Sequence, residues 1–341
     1  MKFSVVIATY NRLDLLKRAI NSALNQTLEC EVIVADDCSS DGTCEYVKNF
    51  RKQLPAQQQQ RLVYTCNNSN SGHAATVNAG IALAQGEWIK FLDDDDYLAP
   101  NCLEEMQKAI ALCGNAVICS CVAAQVDELE VEVRRTPTLG PGKAFYIPQA
   151  DIHFGMLLER LPFGTPVQVA CTREAFLKSG GWDIRLSGCD DIDSWIRIAQ
   201  FGDAIFINEC LAYRTIWSGG YDQKIFLKKR LSTNISMKEK IYALVDEQHR
   251  SQIPAFDDIK SYLKLHWALV ALKQKKIKNF LKLADTSVLS LTAWRLLLAS
   301  ALARRGTLDS PNLRKIVLIE SVKKKLNFFD AIYNYLINNY S

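Results

Sequence analysis

The sequence predicts an α/β domain built on a mostly parallel sheet flanked by helices, followed by a helical C-terminal region. Two observations carry this. In the first half, short β-rich apolar runs alternate with helix-periodic segments, the pattern of strand–helix–strand units. From about Lys224 onward the apolar spacing is helical. A third observation bears on function: carboxylate-rich turns directly follow several of the apolar runs. Ligands of such sheets bind beyond the carboxyl ends of the strands.

Taken in order, Phe3–Ala8 is the first strand, and Leu13, Leu16, Ile20, Ala23 and Leu24 mark one face of the helix after it. Glu31–Ala35 is the next strand, ended by the turn-forming run Asp36-Asp37-Cys38-Ser39-Ser40-Asp41-Gly42. Arg61–Thr65 and Trp88–Leu92 are further strands around a helix from His73 to Ala84, and Gln57–Gln60 reads as a short polar loop. A helix over Asn101–Leu112 and a strand over Ala116–Val122 follow. Beyond them Leu129–Arg135 alternates like an exposed strand, and Thr136–Pro148 is a Pro/Gly-rich connection. Pro166–Cys171 is expected as a strand, with helices over Thr172–Ser179 and Asp191–Phe201. The domain boundary is expected at 222/223.

Bulk properties narrow the class. With 341 residues, 48% hydrophobic and 23% charged, the chain is an ordered globular protein. Its net charge of +4 is split unevenly: from Phe226 onward 21 Lys/Arg face 9 Asp/Glu, or +12, which leaves −8 before it. All 11 cysteines lie between Cys30 and Cys210 without a CxxC pair, several inside apolar runs. They read as buried thiols in a reducing compartment. Phe3–Ala8 is broken at once by Thr9-Tyr10-Asn11-Arg12, so no signal peptide is expected, and no run reaches the roughly 20 apolar residues of a membrane span. The expected setting is the cytoplasm, or the inner face of the cell membrane as a peripheral protein.

The strongest chemical signal is Phe91-Leu92-Asp93-Asp94-Asp95-Asp96. Four consecutive carboxylates at the end of a buried strand repel one another and need compensation. A divalent cation such as Mg²⁺ or Mn²⁺ supplies it, taking one or two carboxylates together with substrate phosphates.

Around this run lie Val5-Val6-Ile7-Ala8-Thr9-Tyr10-Asn11-Arg12, then Ile33-Val34-Ala35-Asp36-Asp37-Cys38-Ser39-Ser40-Asp41-Gly42-Thr43. Asn70-Ser71-Gly72, Asn78-Ala79-Gly80 and Gly86-Glu87-Trp88-Ile89-Lys90 come next, and Gly180-Gly181-Trp182-Asp183 with Asp190-Asp191-Ile192-Asp193-Ser194-Trp195 follows later. In this order the motifs resemble the inverting family 2 glycosyltransferases of GT-A fold, over residues 1–220. The resemblance implies a UDP-sugar donor, a glycan or lipid-linked saccharide acceptor, and Mn²⁺ or Mg²⁺. It also implies a place in bacterial surface polysaccharide or lipopolysaccharide synthesis.

Roles carry over by position. Ala8, Thr9 and Tyr10 are implied to line the base, with Arg12 reaching a phosphate, Asp37 accepting from the uracil imide, and Asn70 and Gly72 in the nucleotide loop. Asp93 or Asp94 would meet the ribose, and Asp95, with Asp93, the metal. Asp191 matches the catalytic base, and Trp182, Asp190 and Arg214 lie toward the donor sugar and acceptor. The chemistry agrees: a departing diphosphate needs its charge neutralised, and an attacking hydroxyl needs a carboxylate to take its proton.

Structural alternatives stand beside these roles. Asp36, Asp37 and Asp41 suit caps of the turn and the helix after it, and Asp190 or Asp191 suits a helix N-cap. Trp182, after two glycines, is expected to wall the pocket; His73 and His153 are expected to be ordinary surface or core histidines. The chain also departs from the family pattern. Val77 stands where many relatives have Arg, and Tyr213-Arg214-Thr215-Ile216-Trp217 lacks the His that often follows Tyr-Arg. A metal would then rely more on water and diphosphate.

The basic tail lies outside the resemblance. Lys273-Gln274-Lys275-Lys276-Ile277-Lys278, Arg304-Arg305 and Lys323-Lys324-Lys325 interrupt apolar helix faces. That pattern suits a solvated helical domain serving acceptor binding or oligomerisation, or docking on an anionic leaflet. No groove-reading motif appears, so nucleic acid is not expected as a partner. Competing readings are a nucleotidyltransferase making nucleotide-sugars, which would want a Gly-rich phosphate loop after the first strand, and a non-catalytic nucleotide- or sugar-binding scaffold. A dinucleotide oxidoreductase is disfavoured, because no GxGxxG follows a strand.

Overall fold

The computed structural model describes residues 1–139, 142–186, 188–217 and 225–305. Two compact units emerge: Met1–Gln149 with Phe163–Gly220, and Ala150–Pro162 with the chain from Tyr221 onward. The insertion Ala150–Pro162 thus belongs to the second unit, which a single boundary at 222/223 does not capture.

The first unit opens with strands β1 (Phe3–Thr9), β2 (Glu31–Asp36), β3 (Leu62–Cys66) and β4 (Trp88–Asp93). They pair in parallel in the order β3-β2-β1-β4. Helices α1 (Leu13–Leu24), α2 (Thr43–Gln53), α3 (Ala56–Arg61) and α4 (His73–Leu83) connect them. Side chains alternate across a strand, and that alternation divides the helices. Val5, Ile7, Val32 and Val34 form a buried cluster with Leu16, Ala19 and Ile20 of α1. The intervening Val6, Ile33 and Ala35 meet α4 on the opposite face, so closely that a Cβ on Gly80 would lie 2.6 Å from Val6. Glycine is therefore required there, and it brings α4 down onto the sheet.

The rest of the sheet is mixed rather than mostly parallel. Next come β5 (Tyr97–Leu98), α5 (Cys102–Ala111), β6 (Ala116–Val126), β7 (Glu132–Arg135), β8 (Ala144–Ile147) and α6 (Gln149–Leu157). They are followed by β9 (Val169–Thr172), α7 (Arg173–Lys178), α8 (Asp190–Ile198) and β10 (Asp203–Thr215). β9 lies antiparallel between β4 and β6, and β10 runs parallel to β6. Several expectations need correction. Gln57–Gln60 is within helix α3, Pro166–Gln168 is a tight 3₁₀ turn leading into β9, and part of the supposed 136–148 connection is strand β8. The alternating run forms a strand only from Glu132.

Beneath the acidic run Lys90 is fully buried on β4, donating to the carbonyl oxygens of Val167 at 2.5 Å and Phe91 at 3.0 Å. These bonds tie the turn before β9 to the strand that ends in the carboxylates.

The second unit is helical: α6 for most of its length, then α9 (Leu227–Ala243), α10 (Glu247–Arg250), α11 (Phe256–Lys273), α12 (Ile277–Ala284) and α13 (Leu291–Arg305). Lys238 donates to the carbonyl oxygen of Leu157 at 2.8 Å, and His249 pairs with Asp151 at 2.6 Å while stacking on Phe154. No helix among the described residues is long and apolar enough to cross a membrane. Lys323-Lys324-Lys325 lies outside the described residues.

Candidate active site

The parallel pairing aligns the strand ends: Ala8 lies beside Asp93, and Thr9 beside Asp36. Three loops therefore meet at one edge of the sheet. The turn after β1 interlocks with the turn after β2. Asn11, at φ 51°, accepts from the Ser40 N–H at 2.7 Å and donates its own N–H to the Ser39 hydroxyl. Asp41 accepts from the N–H of Leu13 at 2.9 Å and of Thr43 at 3.2 Å, serving the starts of both α1 and α2. Asp36 accepts from Tyr64 and from the Ser39 N–H. Both are structural turn carboxylates, as their alternative reading held.

Asp37 holds the third loop. One oxygen accepts from Ser71 N–H at 2.7 Å and the Asn67 amide at 2.8 Å, the other from Gly72 N–H at 2.8 Å. Burial alone would raise its pKa, but these donors outweigh that and lower it. Asp37 thereby shapes the segment carrying Asn70, whose side chain is exposed, and Gly72, at φ 88°.

The acidic run is stitched into these loops. Asp94 accepts from the Thr9 hydroxyl at 2.8 Å and from Arg12 at 3.2 Å; Arg12 also lies 2.8 Å from Asp95. Asp96 is buried and accepts from the Thr215 N–H of β10. Burial and neighbouring carboxylates raise the pKa of Asp94 to about 6 and push Asp95 and Asp96 upward too. Arg12 thus compensates the run only in part. Asp93 differs: burial would raise its pKa, but the bond and charge of His73 lower it, with help from the half-buried Arg214, whose charge also opposes the rise at Asp96.

The later motif arrives from below. Asn78 on α4 binds the Trp182 backbone twice, donating to its carbonyl oxygen and accepting from its N–H, both at 2.9 Å. Gly180 and Gly181 lie at φ 85° and 71°, and a Cβ on Gly181 would come within 2.8 Å of the Asn78 side-chain oxygen. This turn drives the Trp182 ring inward, where it stacks on Phe91 at 5.5 Å and is 2% exposed. Trp182 is therefore core beneath the site, not a pocket wall. Ala8 and Thr9 are likewise buried, so of the three residues implied to line a base only Tyr10, 44% exposed, offers an open ring.

α8 then presents Asp190, buried, and Asp191, half-buried, in its first turn. Burial and the charge of Asp190 raise the Asp191 pKa to about 7; a bond from the Ile192 N–H opposes the rise. A carboxyl poised there suits proton acceptance near neutrality.

Three residues of the site escape sequence reading. His73, the first residue of α4, sets one ring nitrogen 3.0 Å from Asp93 and the other 3.3 Å from Asp190. Burial would lower its pKa, but bonds and charge from Asp190 and Asp93 raise it well above the usual value. The available signal was its place directly after Gly72 at a helix start facing the strand ends. Trp217 donates to Asp95 at 2.8 Å, one residue past the missing family His. Arg18 donates to the Asp95 backbone oxygen and the Thr215 hydroxyl beneath the run, over the Tyr97 ring; nothing in its surroundings in sequence announces this. Arg18 also lines a cavity of about 530 Å³ with Asp14, Lys17, Asn21, Asn25 and Pro100, none of them among the residues assigned to the site.

Comparison with known proteins gives this geometry a family. The family model described as glycosyl transferase family 2 matches residues 4–179. A GalNAc(5)-diNAcBac-PP-undecaprenol beta-1,3-glucosyltransferase of Campylobacter jejuni is 42% identical over 111 residues, 32% of this chain and 34% of that protein. The Staphylococcus aureus poly(ribitol-phosphate) beta-N-acetylglucosaminyltransferase TarS is 33% identical over 108 residues, 31% of this chain and 18% of that protein. The matched segments span about a third or less of these relatives' own length. In three dimensions, a crystal structure of TarS residues 1–349 with UDP-GlcNAc aligns at TM-score 0.58 and 18% identity, covering 84% of this chain and 91% of that one. The Pyrobaculum calidifontis mannosyltransferase PcManGT, in complex with GDP-Man and Mn²⁺, aligns at 0.55 and 18% identity over 99% of this chain and 88% of its own. The fold is the GT-A fold, and the chain belongs to glycosyl transferase family 2.

Proposed function

We propose that the protein moves a sugar from a UDP-sugar onto a hydroxyl of a glycan or lipid-linked saccharide acceptor in bacterial surface polysaccharide synthesis, inverting the anomeric centre. The observation carrying this is the meeting of the Asp93–Asp96 run with the first turn of α8, where burial raises the Asp191 carboxyl to about 7. The names of the matched family members motivate the sugar and acceptor classes.

The donor set fits a divalent cation. Asp93 and Asp95 are hard oxygen ligands in an incompletely compensated acidic run, and Mg²⁺ or Mn²⁺ commonly takes one or two carboxylates plus substrate phosphates. Among the described residues no group of three or more His, Cys, Asp or Glu side chains is arranged to hold a metal, so the diphosphate would complete the coordination. When bound, the cation neutralises charge on the leaving diphosphate.

The protein's own groups supply the rest. The open Tyr10 ring takes the base, with Ala8 and Thr9 behind it and Asp37, Asn70 and Gly72 forming the facing loop. Asp94, fixed by Thr9, meets the ribose. Arg12 and Arg214 face the diphosphate, and Asp190 borders the sugar and acceptor. Asp191 accepts the proton of the attacking hydroxyl, and attack opposite the leaving group inverts the centre. The exposed basic and apolar residues of the second unit (Lys273, Lys275, Lys276 and Lys278 with Ile277 and Leu281) dock on an anionic leaflet.

Screening UDP-sugars for hydrolysis with Mn²⁺ or Mg²⁺ against EDTA, with GDP-mannose as comparison, tests the reading. Metal-dependent release of UDP from one donor supports it. Failure of every UDP-sugar, or preference for the GDP donor, overturns the donor assignment.

A further inference from the structure

We infer that His73 is a positioning residue that ties the donor-side carboxylate Asp93 to the first turn of α8, so that Asp191 is held in place for proton transfer. This rests on the function proposed above and deepens it.

The geometry is specific. The imidazole spans two elements far apart in sequence, 3.0 Å from Asp93 at the end of β4 and 3.3 Å from Asp190 at the start of α8. Its ring is braced edge-on by Trp182, with centroids 5.2 Å apart, and Trp182 is itself clamped by the two bonds from Asn78, five residues further along α4. The bridge is therefore braced by a buried ring whose backbone is held by α4.

Asp191 needs such support. The one hydrogen bond its carboxylate makes among the described residues comes from the Ile192 N–H of its own turn. Later residues of α8 have separate anchors: Arg197 donates to the Ser179 carbonyl oxygen at the end of α7, and the Trp195 indole donates to the Gly164 carbonyl oxygen. The first turn is fixed to the donor side through Asp190, and His73 makes that connection. A misplacement of about 1 Å at a reacting group costs as much as 10²-fold in rate. An unbridged first turn would therefore slow turnover more than it weakens donor binding.

The test is His73→Ala, with His73→Gln as the conservative partner keeping a polar side chain of similar length. We expect kcat for UDP-sugar turnover to fall by about 10- to 100-fold in His73→Ala, while donor KM and UDP affinity stay within about 3-fold. Partial recovery is expected in His73→Gln. Hydrogen exchange across 189–193 should quicken in His73→Ala, with the β1 and β4 amides unchanged, which also reports that the variant is folded. A double-mutant cycle with Asp190→Asn should be clearly non-additive, as for groups in contact. Unchanged kcat, additive losses, unchanged exchange at 189–193, or a loss residing wholly in UDP affinity each overturn the assignment. An inactive wild-type enzyme instead overturns the proposed function, whereas an active wild type matched by an equally active His73→Ala removes only the role of His73.

Discussion

Arg12 and Asp95 form an ion pair of 2.8 Å that joins the turn after β1 to the acidic run, and the same guanidinium nitrogen lies 3.2 Å from Asp94. A residue implied to reach a phosphate is thus also the internal cation of the proposed metal site. On this reading Arg12 shares Asp95 with the metal and turns toward diphosphate when both bind.

Replacing Arg12 with Gln should separate these duties. Without nucleotide, Mn²⁺ should bind several-fold more tightly, because a competing positive charge is gone. With Mn²⁺ present, UDP should bind roughly tenfold more weakly, because a charge-assisted contact is lost. Calorimetry that finds both affinities unchanged would show Arg12 to be a surface pair only.

The pH profile should carry the signature of Asp191. Its folded-state pKa is about 7, above the ordinary carboxyl range, and the base works only when ionised. Turnover should therefore climb as pH rises through about 7, and Asp191→Asn should abolish that limb. Stability moves the other way. A carboxyl whose pKa is raised by folding binds more protons in the native state, so its contribution is full below the unfolded pKa and is lost as pH rises through the folded value. Asp191→Asn should flatten the fall in Tm between about pH 4 and 7; an unchanged Tm profile would argue against the raised pKa.

Asn78→Ala should cost stability without touching charge. It removes both hydrogen bonds to the Trp182 backbone, about 2 kcal/mol at roughly 1 kcal/mol each. A Tm drop of about 4–8 °C follows for a unit of this size. A variant as stable as wild type would mean that the Gly180–Trp182 turn is held by other contacts.

Much of this arrangement is legible in the amino-acid sequence, and the reasons are local. β1, β2 and β4 are buried on both faces, so they read as near-continuous apolar runs, broken in β1 by Ser4 and in β4 by Lys90, and the turns after them carry their carboxylates in plain sight. β10, the longest strand, escapes because its pairing with β6 shifts register around Ile207–Ala212, where Asn208, Glu209 and Cys210 break the alternation. α3 is missed because its glutamines have no apolar face. Asp93, Asp95 and Asp191 are singled out through order and spacing, and folding brings the first turn of α8 to the acidic run, but Trp182 is misplaced, because two glycines announce a turn and not the direction in which the ring points. His73 is missed because one histidine carries no pattern; its meaning lies in two carboxylates that only folding brings to it.

The second unit should set where the enzyme works. Ile277 and Leu281, 63% and 68% exposed, stand among Lys273, Lys275, Lys276 and Lys278. Changing those four lysines to Gln should reduce sedimentation with anionic liposomes at low salt and leave UDP affinity intact. Rising salt should weaken the wild-type interaction, because the Debye length is only about 8 Å at physiological ionic strength. A wild-type protein that ignores such liposomes would make this surface a packing or oligomer-forming face.

The division of labour between the two carboxylate motifs is tested most directly by comparing wild type, Asp95→Asn and Asp191→Asn for UDP affinity and for turnover of the donor found by screening. Asp95→Asn should weaken metal-dependent UDP binding. Asp191→Asn should bind UDP with nearly wild-type affinity while turnover falls by roughly 10²–10⁴-fold, the usual contribution of a general base. An Asp191→Asn enzyme that transfers sugar at the wild-type rate would contradict the account.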